Sequence, residues 1–283
     1  MAVGPRASTV VCAINWAPRS KWDRPGSPPC RCPKSAPVAS RRPPDRDVAP
    51  VVQRIRIRHA RRGRLRFSSH RDFQRALERA IRRAGLPIAF SAGFSPHPKI
   101  SYAGSAPTGV ASEAEYVEIG LTSPRDPGQV QVALDAALPP GLDVLDAVEV
   151  RTSDFAQRLQ ASWWRIEFPE VDPVVLGAAR DAFWAASSVE VERRTKSGLR
   201  RFDAREPVVW LDARPEQVGG CAILEAVVRH VTLSVRPDDV LAALRQVADL
   251  EPPVAPRVTR LAQGPLDPAT YAVGDPLAPD RRD

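Results

Sequence analysis

Between Gln53 and Val150 the apolar period of the chain switches repeatedly between two residues and about 3.6, and the order of those switches limits the folds open to it. VVQRIRIRHA alternates Ile55 and Ile57 with Arg54, Arg56 and Arg58, the pattern of a half-buried strand with a basic outer face. RRGRLRF turns at Gly63, and SSHRDFQRALERAIRRAG then sets Phe73, Ala76, Leu77, Ala80, Ile81 and Ala84 on one helical stripe. Ser69 and Asp72 have capping-box spacing at the start of this helix, and Gly85 ends it. LPIAFS (86–91) reads as a short strand and ISYAG as extended chain. EAEYVEIGL (113–121) reads as a strand, PGQVQVALDAAL (127–138) as a helix and LDVLDAVEV (142–150) as a strand. Strand–helix–strand–strand–helix–strand is the ferredoxin-like order.

The second half repeats the outline imperfectly. WWRIEF (163–168) is a strand and 173–186 a helix. SVEVERRT (188–195) and PVVWLDA (207–213) are strands, CAILEAVVRHVTLSV (221–235) one long or bent strand, and DDVLAALRQVA (238–248) a helix. The expected class is α+β, with two tandem ferredoxin-like (βαββαβ-type) halves at 51–150 and 151–248. Residues 1–50, with ten prolines, bury too little apolar surface to order themselves; they read as a disordered extension or as the product of a mis-assigned start. Residues 249–283 read as a loose Pro-rich tail.

The formal charge of +8 is concentrated locally. Residues 51–83 hold twelve arginines against Asp72 and Glu78, whereas 84–283 are net acidic. A basic segment of this density points to an anionic partner. Cys12, Cys30, Cys32 and Cys221 match neither a zinc pattern nor a disulfide framework, and no CxxxCxxC motif occurs. The expected location is the cytoplasm, and no apolar run has the roughly 18–20 residues needed to span a bilayer.

Three groups carry candidate chemistry. In SSHRD, the cap explains Ser69 better than a nucleophile does, because a triad gathers its members from separate elements. His70 begins the helix, where the macrodipole favours anions, and is either a phosphate-binding or proton-accepting group or a surface histidine. Arg71, Arg75, Arg79 and Arg82 follow at helical spacing. In GFSPHPK (93–99), Ser95 and His97 each precede a proline, which makes a stiff polar loop or a rigid connector. Phe94 suits stacking on a base, and His97 and Lys99 suit phosphate. If 86–91 is the second strand of a βαβ unit, this loop returns to face Ser69 and His70. RRTKSGLRRFDAR (193–205) supplies Lys196, Arg200, Arg201 and Arg205, as a second polyanion contact or a solvated hairpin tip. No Walker loop, GxGxxG, HExxH or acidic metal cluster is present.

The run from RIRIRHARRG through SSHRD and GFSPHPK to EAEYVEIGL resembles the uncharacterised radical-SAM-associated family, a domain of unknown function found alone or fused behind a radical SAM core. The resemblance covers about 51–248, and TKSGLRRFDAR resembles the family's second-half motif. Arg71 and Phe73 replace the usual aliphatic residues after the histidine, and Ser95 replaces a common asparagine. The resemblance implies partnership with a radical SAM protein, here in the stand-alone form. Iron–sulfur cluster and S-adenosylmethionine are expected only on that partner, and no metal or cofactor on this chain. The leading expectation is a non-catalytic accessory protein that binds RNA, a tRNA or rRNA, and presents it for modification. The alternatives are a metal-independent ribonuclease using His70 or His97 with Lys99, and a pure protein-interaction module.

Overall fold

The computed structural model describes residues 48–195, 198–214 and 221–281. The expectations for residues 1–47 and for Lys196 lie outside them. In the first half, β1 (Gln53–Arg61) leads to α1 (His70–Arg83), β2 (Ile100–Ala103), β3 (Ala111–Leu121), α2 (Pro127–Ala137) and β4 (Val144–Glu149). A short helix, α3 (Phe155–Arg158), bridges to the second half. There, β5 (Ala161–Pro169), α4 (Pro173–Ala185), β6 (Glu190–Thr195), β7 (Gly198–Asp203), β8 (Val208–Ala213), β9 (Cys221–Arg229), α5 (Pro237–Ala248) and β10 (Arg257–Gly264) follow.

The fold is mixed α+β, built on a mostly antiparallel eight-stranded sheet in the order β4-β1-β3-β10-β5-β9-β8, with β2 also on β3. The hairpin β6–β7 forms a separate two-stranded sheet. Helices cover the sheet with two apolar clusters. One joins Ile55, Ile57, Ile119 and Leu121 to Phe73, Leu77 and Ile81 of α1 and to Val130 and Leu134 of α2. The other joins Trp164, Ile166, Phe168 and Leu224 to Leu176 and Phe183 of α4 and Leu244 of α5. No helix among the described residues is long and apolar enough to cross a membrane.

Four expectations change. Residues 86–91 make only isolated bridges, Ile88 to Leu121 and Phe90 to Pro98. Pro87 has no N–H for a ladder, and the strand that pairs with β3 is β2, through Ile100↔Ile119 and Tyr102↔Val117. The strand expected to run to 235 stops at Arg229. There the last cross-strand bonds run from the His230 N–H to the carbonyl of Gln160, just before β5, and from the Arg229 N–H to that of Pro207, just before β8.

The segment from 249 is no loose tail. β10 lies inside the sheet, parallel to β3 (Arg260↔Ser112) and antiparallel to β5 (Val258↔Ile166), and so joins the two halves. Beyond it, Leu277 and Asp280 are buried.

That C-terminal segment also explains why the outer face of β1 is not a free basic surface. Arg56 is 2% exposed, lies over the Phe155 ring at 4.3 Å, and pairs with Asp280 and with Glu118 at 2.9 Å. Burial pushes the Asp280 carboxyl up. Hydrogen bonds from Thr152 and Arg151 and the charge of Arg56 outweigh it and hold the group below the ordinary carboxylate range.

Candidate functional site

Ser69 performs the role its spacing predicts. The Asp72 N–H donates to Ser69 Oγ (3.2 Å), and the Ser69 N–H donates to Asp72 Oδ2 (3.3 Å). The box satisfies two donors that a helix start leaves open. It also fixes the adjacent His70. The Gln74 amide donates to His70 Nε2 (3.1 Å), Ser105 Oγ lies 3.4 Å from Nδ1, and the ring meets Tyr102 edge-on at 4.9 Å.

Arg71, Arg75, Arg79 and Arg82 follow on the helix face opposite Phe73 and Leu77, and all four are exposed. They span about 16 Å at 1.5 Å per residue. Among the described residues, none of the four makes a salt bridge, whereas Arg54, Arg62, Arg165, Arg193, Arg257 and Arg281 all do.

His97 and Lys99 lie elsewhere. The Ser91 N–H donates to the His97 carbonyl (2.9 Å) and the Lys99 N–H to the Ala89 carbonyl (2.7 Å), so 89–99 is a small hairpin with Phe94 exposed at its tip. This hairpin precedes β2 instead of following a strand at 86–91. Lys99 is level with Gly120, at the far end of β3, while Ser105 beside His70 lies past the other end of β2. From Lys99 to Ser105 the chain advances roughly 15–20 Å. His70 and His97 therefore sit at opposite ends of the first-half sheet, and the shared two-histidine site expected from the sequence does not form.

The 193–205 segment is divided as well. Arg200 and Arg201 are exposed on β7, Arg201 paired with Glu192 at 2.5 Å. Arg205 stacks on the Trp184 ring at 3.9 Å, and burial lowers its pKa. Its guanidinium packs against the aromatic rings at the edge of the second core.

What lies beside His70 is a cleft of about 510 Å³ between the 104–108 segment and residues 234–237. It lies where α1 and α5 begin and where β5 starts beside the ends of β9 and β10. Ser105, Ser162, Trp164, His230, Arg260 and Gln263 line it, and so do Thr108, Ser234 and Arg236; among the described residues no Asp or Glu does.

Its walls are held by charge. Arg61 pairs with Glu115 at 3.1 Å, both buried, and donates to the Ala106 carbonyl at 2.8 Å. Arg260 donates through Nε to Ser112 Oγ (3.1 Å) and through Nη2 to the Gly104 carbonyl. Gly104 has φ +65°, and a Cβ there would collide with the Gln263 amide, so glycine permits this approach. His230 Nδ1–H donates to the Leu159 carbonyl (2.7 Å), leaving Nε2 to accept from Ser162 Oγ at 2.8 Å. Burial, aided by the charge of Arg260, lowers the His230 pKa. His59, below the site, is stacked on Phe73 at 4.3 Å, and burial pushes its pKa down to about 3.

Sequence reasoning missed this group. One signal was available: in RVTRLAQG, Arg260 occupies the same strand face as Val258, a charge where the alternation asks for an apolar residue.

Fold and site together define an α+β protein with a basic helix leading to a cleft lined by cations and hydroxyls. The chain belongs to the family described as "Uncharacterized protein conserved in bacteria (DUF2344)", whose model matches residues 54–237. No curated protein matches the chain. Among solved structures it is similar to a chain in "Crystal Structure of a Cbf5-Nop10-Gar1 Complex", at 11% identity and a TM-score of 0.33. That likeness covers 73% of this chain and 47% of the other, so the chain spans about half the length of the one it matches. A likeness this weak says nothing of activity or partners.

Proposed function

We propose that this protein binds RNA, a tRNA or rRNA, as a non-catalytic accessory to a separate radical SAM enzyme in the cytoplasm, and presents the strand for modification. The observation that carries the reading is the α1 stripe of Arg71, Arg75 and Arg79, exposed and without ion pairs among the described residues. Like charges four residues apart on a helix repel by a few tenths of a kcal/mol per pair. An external polyanion relieves that repulsion, and each phosphate contacted releases counterions.

The link to a radical SAM partner rests on the resemblance of SSHRD and GFSPHPK, and the partner would carry the iron–sulfur cluster and S-adenosylmethionine. Each half is read as a ferredoxin-like unit, supported by the strand orders β4-β1-β3-β2 and β10-β5-β9-β8, with β6–β7 inserted in the second. The alternative, a ribonuclease with His70 or His97 as its base, would have to work with one of the two, because the register separates them.

Tagged protein recovered from its native cell, with and without nuclease treatment, tests the reading. Co-recovery of RNA and a radical SAM protein is the expected result. A protein partner that survives nuclease, with no RNA recovered in the untreated sample, would replace RNA by an acidic protein surface.

A further inference from the structure

The cleft beside His70 contains cationic and polar groups that the described residues do not satisfy. Arg260 is 3% exposed, yet no carboxylate pairs with it among the described residues; the nearby Glu115 is committed to Arg61. Nε and Nη2 are occupied by Ser112 and Gly104, and Nη1 has no hydrogen-bond partner among the described residues. A buried guanidinium without a counter-charge is costly unless something else supplies one. Two further lining residues each carry a buried polar atom with no partner among the described residues: Gln263 Oε1, which needs a donor, and Trp164 Nε1, which needs an acceptor. Such orphans are rare in a finished structure and ask for a missing partner.

The lining decides what that partner is. Among the described residues it combines Arg260 and exposed Arg236 with His230 and the hydroxyls of Ser105, Thr108, Ser162 and Ser234, and no acid. Two guanidiniums call for an anion of more than one charge, and the volume is within the range of organic-ligand sites, far larger than an inorganic ion needs. An acceptor-rich phosphate suits Arg260 and Trp164, whereas Gln263 Oε1 requires a group that donates, such as a sugar hydroxyl.

We propose that the cleft is a binding site for a nucleotide-sized phosphomonoester, its phosphate taken by Arg260 with Arg236 at the rim and a ribose hydroxyl donating to Gln263. The site is distinct from the α1 stripe and does not rest on RNA binding. It joins the two halves at the one place where β10 crosses between them, so an occupied cleft stabilises their junction.

The test uses the full chain with AMP, adenosine, inorganic phosphate and succinate as probes, read by calorimetry and by thermal unfolding. AMP is expected to bind saturably and raise the unfolding temperature, with adenosine and succinate weaker by about tenfold or more. Arg260→Met should abolish the AMP response. Because that residue is buried, Arg236→Ser serves as the second variant, expected to fold normally and to weaken AMP by about tenfold. No saturable response to AMP up to about 10 mM, a response to succinate that equals or exceeds it, or an unchanged AMP affinity in Arg236→Ser would overturn the site. The stripe variant Arg71→Ala with Arg75→Ala and Arg79→Ala separates the two proposals. RNA affinity lost with AMP retained leaves the cleft standing, and AMP affinity lost in that variant removes the cleft as a separate site.

Discussion

His70 Nδ1 lies 3.4 Å from the hydroxyl of Ser105, a residue that also lines the central cleft, so the start of the arginine helix and the cleft share one edge of the sheet. The partner of His70 across the fold is therefore the segment after β2, and the hairpin before β2 is at the other end. The cap, the stripe and the cleft can each be tested separately.

Ser69→Ala removes the side-chain half of the capping box, because Asp72 N–H then loses its acceptor. A loss of about 1 kcal/mol is expected in urea unfolding, and Ser69→Asp, which can still cap, should recover most of it. The Ser69 hydrogen bonds hold the Asp72 carboxyl below its ordinary range. Their contribution is present above the unfolded pKa and lost as acid protonates the folded group. The Ser69→Ala deficit should accordingly shrink at low pH.

His59 makes stability acid-sensitive over a different window. The unfolded imidazole gains a proton below 6.5, while the folded one, buried against Phe73, stays neutral down to about 3. Stability falls as the pH drops through that interval. By pH 5 the cost is about 2 kcal/mol, at 1.36 kcal/mol per unit. His59→Phe keeps the stack and removes the proton, so the difference between pH 7 and pH 5 in denaturant unfolding should be smaller in the variant by about that amount. Equal pH dependence in both proteins would show that His59 is not buried neutral.

Asp280 closes the fold from the C-terminal side. Its carboxylate accepts from Thr152 Oγ1 (2.6 Å), from the Arg151 and Thr152 N–H groups and from Arg158 (3.1 Å), and pairs with buried Arg56. Asp280→Ala leaves a buried guanidinium short of one partner, a change worth about 3–5 kcal/mol in comparable buried pairs. Thermal and urea unfolding should both record it. A change under about 1 kcal/mol would mean that Glu118 alone neutralises Arg56.

How much of this could be read in the sequence depended on whether a local signal agreed with the tertiary context. Ser69, Asp72 and the stripe from Phe73 to Ala84 are a self-contained helix signal, and α1 forms there. LPIAFS carries the same apolar density as a strand, but Pro87 denies it a ladder, and that shift of the second strand from 86–91 to 100–103 carried His97 and Lys99 to the wrong end. β10 was hidden by Pro252, Pro253 and Pro256, which precede it and made the region look loose. Arg205 reads in the sequence as one more cation in a basic run; nothing local marks Trp184 as its stacking partner, 21 positions earlier in the chain. Arg260 of β10, Ser162 of β5 and His230 just past β9 are far apart in sequence, and only the sheet order brings them together.

The most direct test of RNA binding by the α1 stripe is the salt dependence of affinity for single-stranded RNA, measured by fluorescence anisotropy between about 50 and 200 mM salt. Wild-type binding should weaken steeply. Combining Arg71→Ala, Arg75→Ala and Arg79→Ala should flatten the log–log slope by about 2, from three phosphate contacts at roughly 0.7 each. An unchanged slope in the triple variant, or no wild-type binding even at about 50 mM salt, would contradict the assignment of α1 as the RNA-binding face.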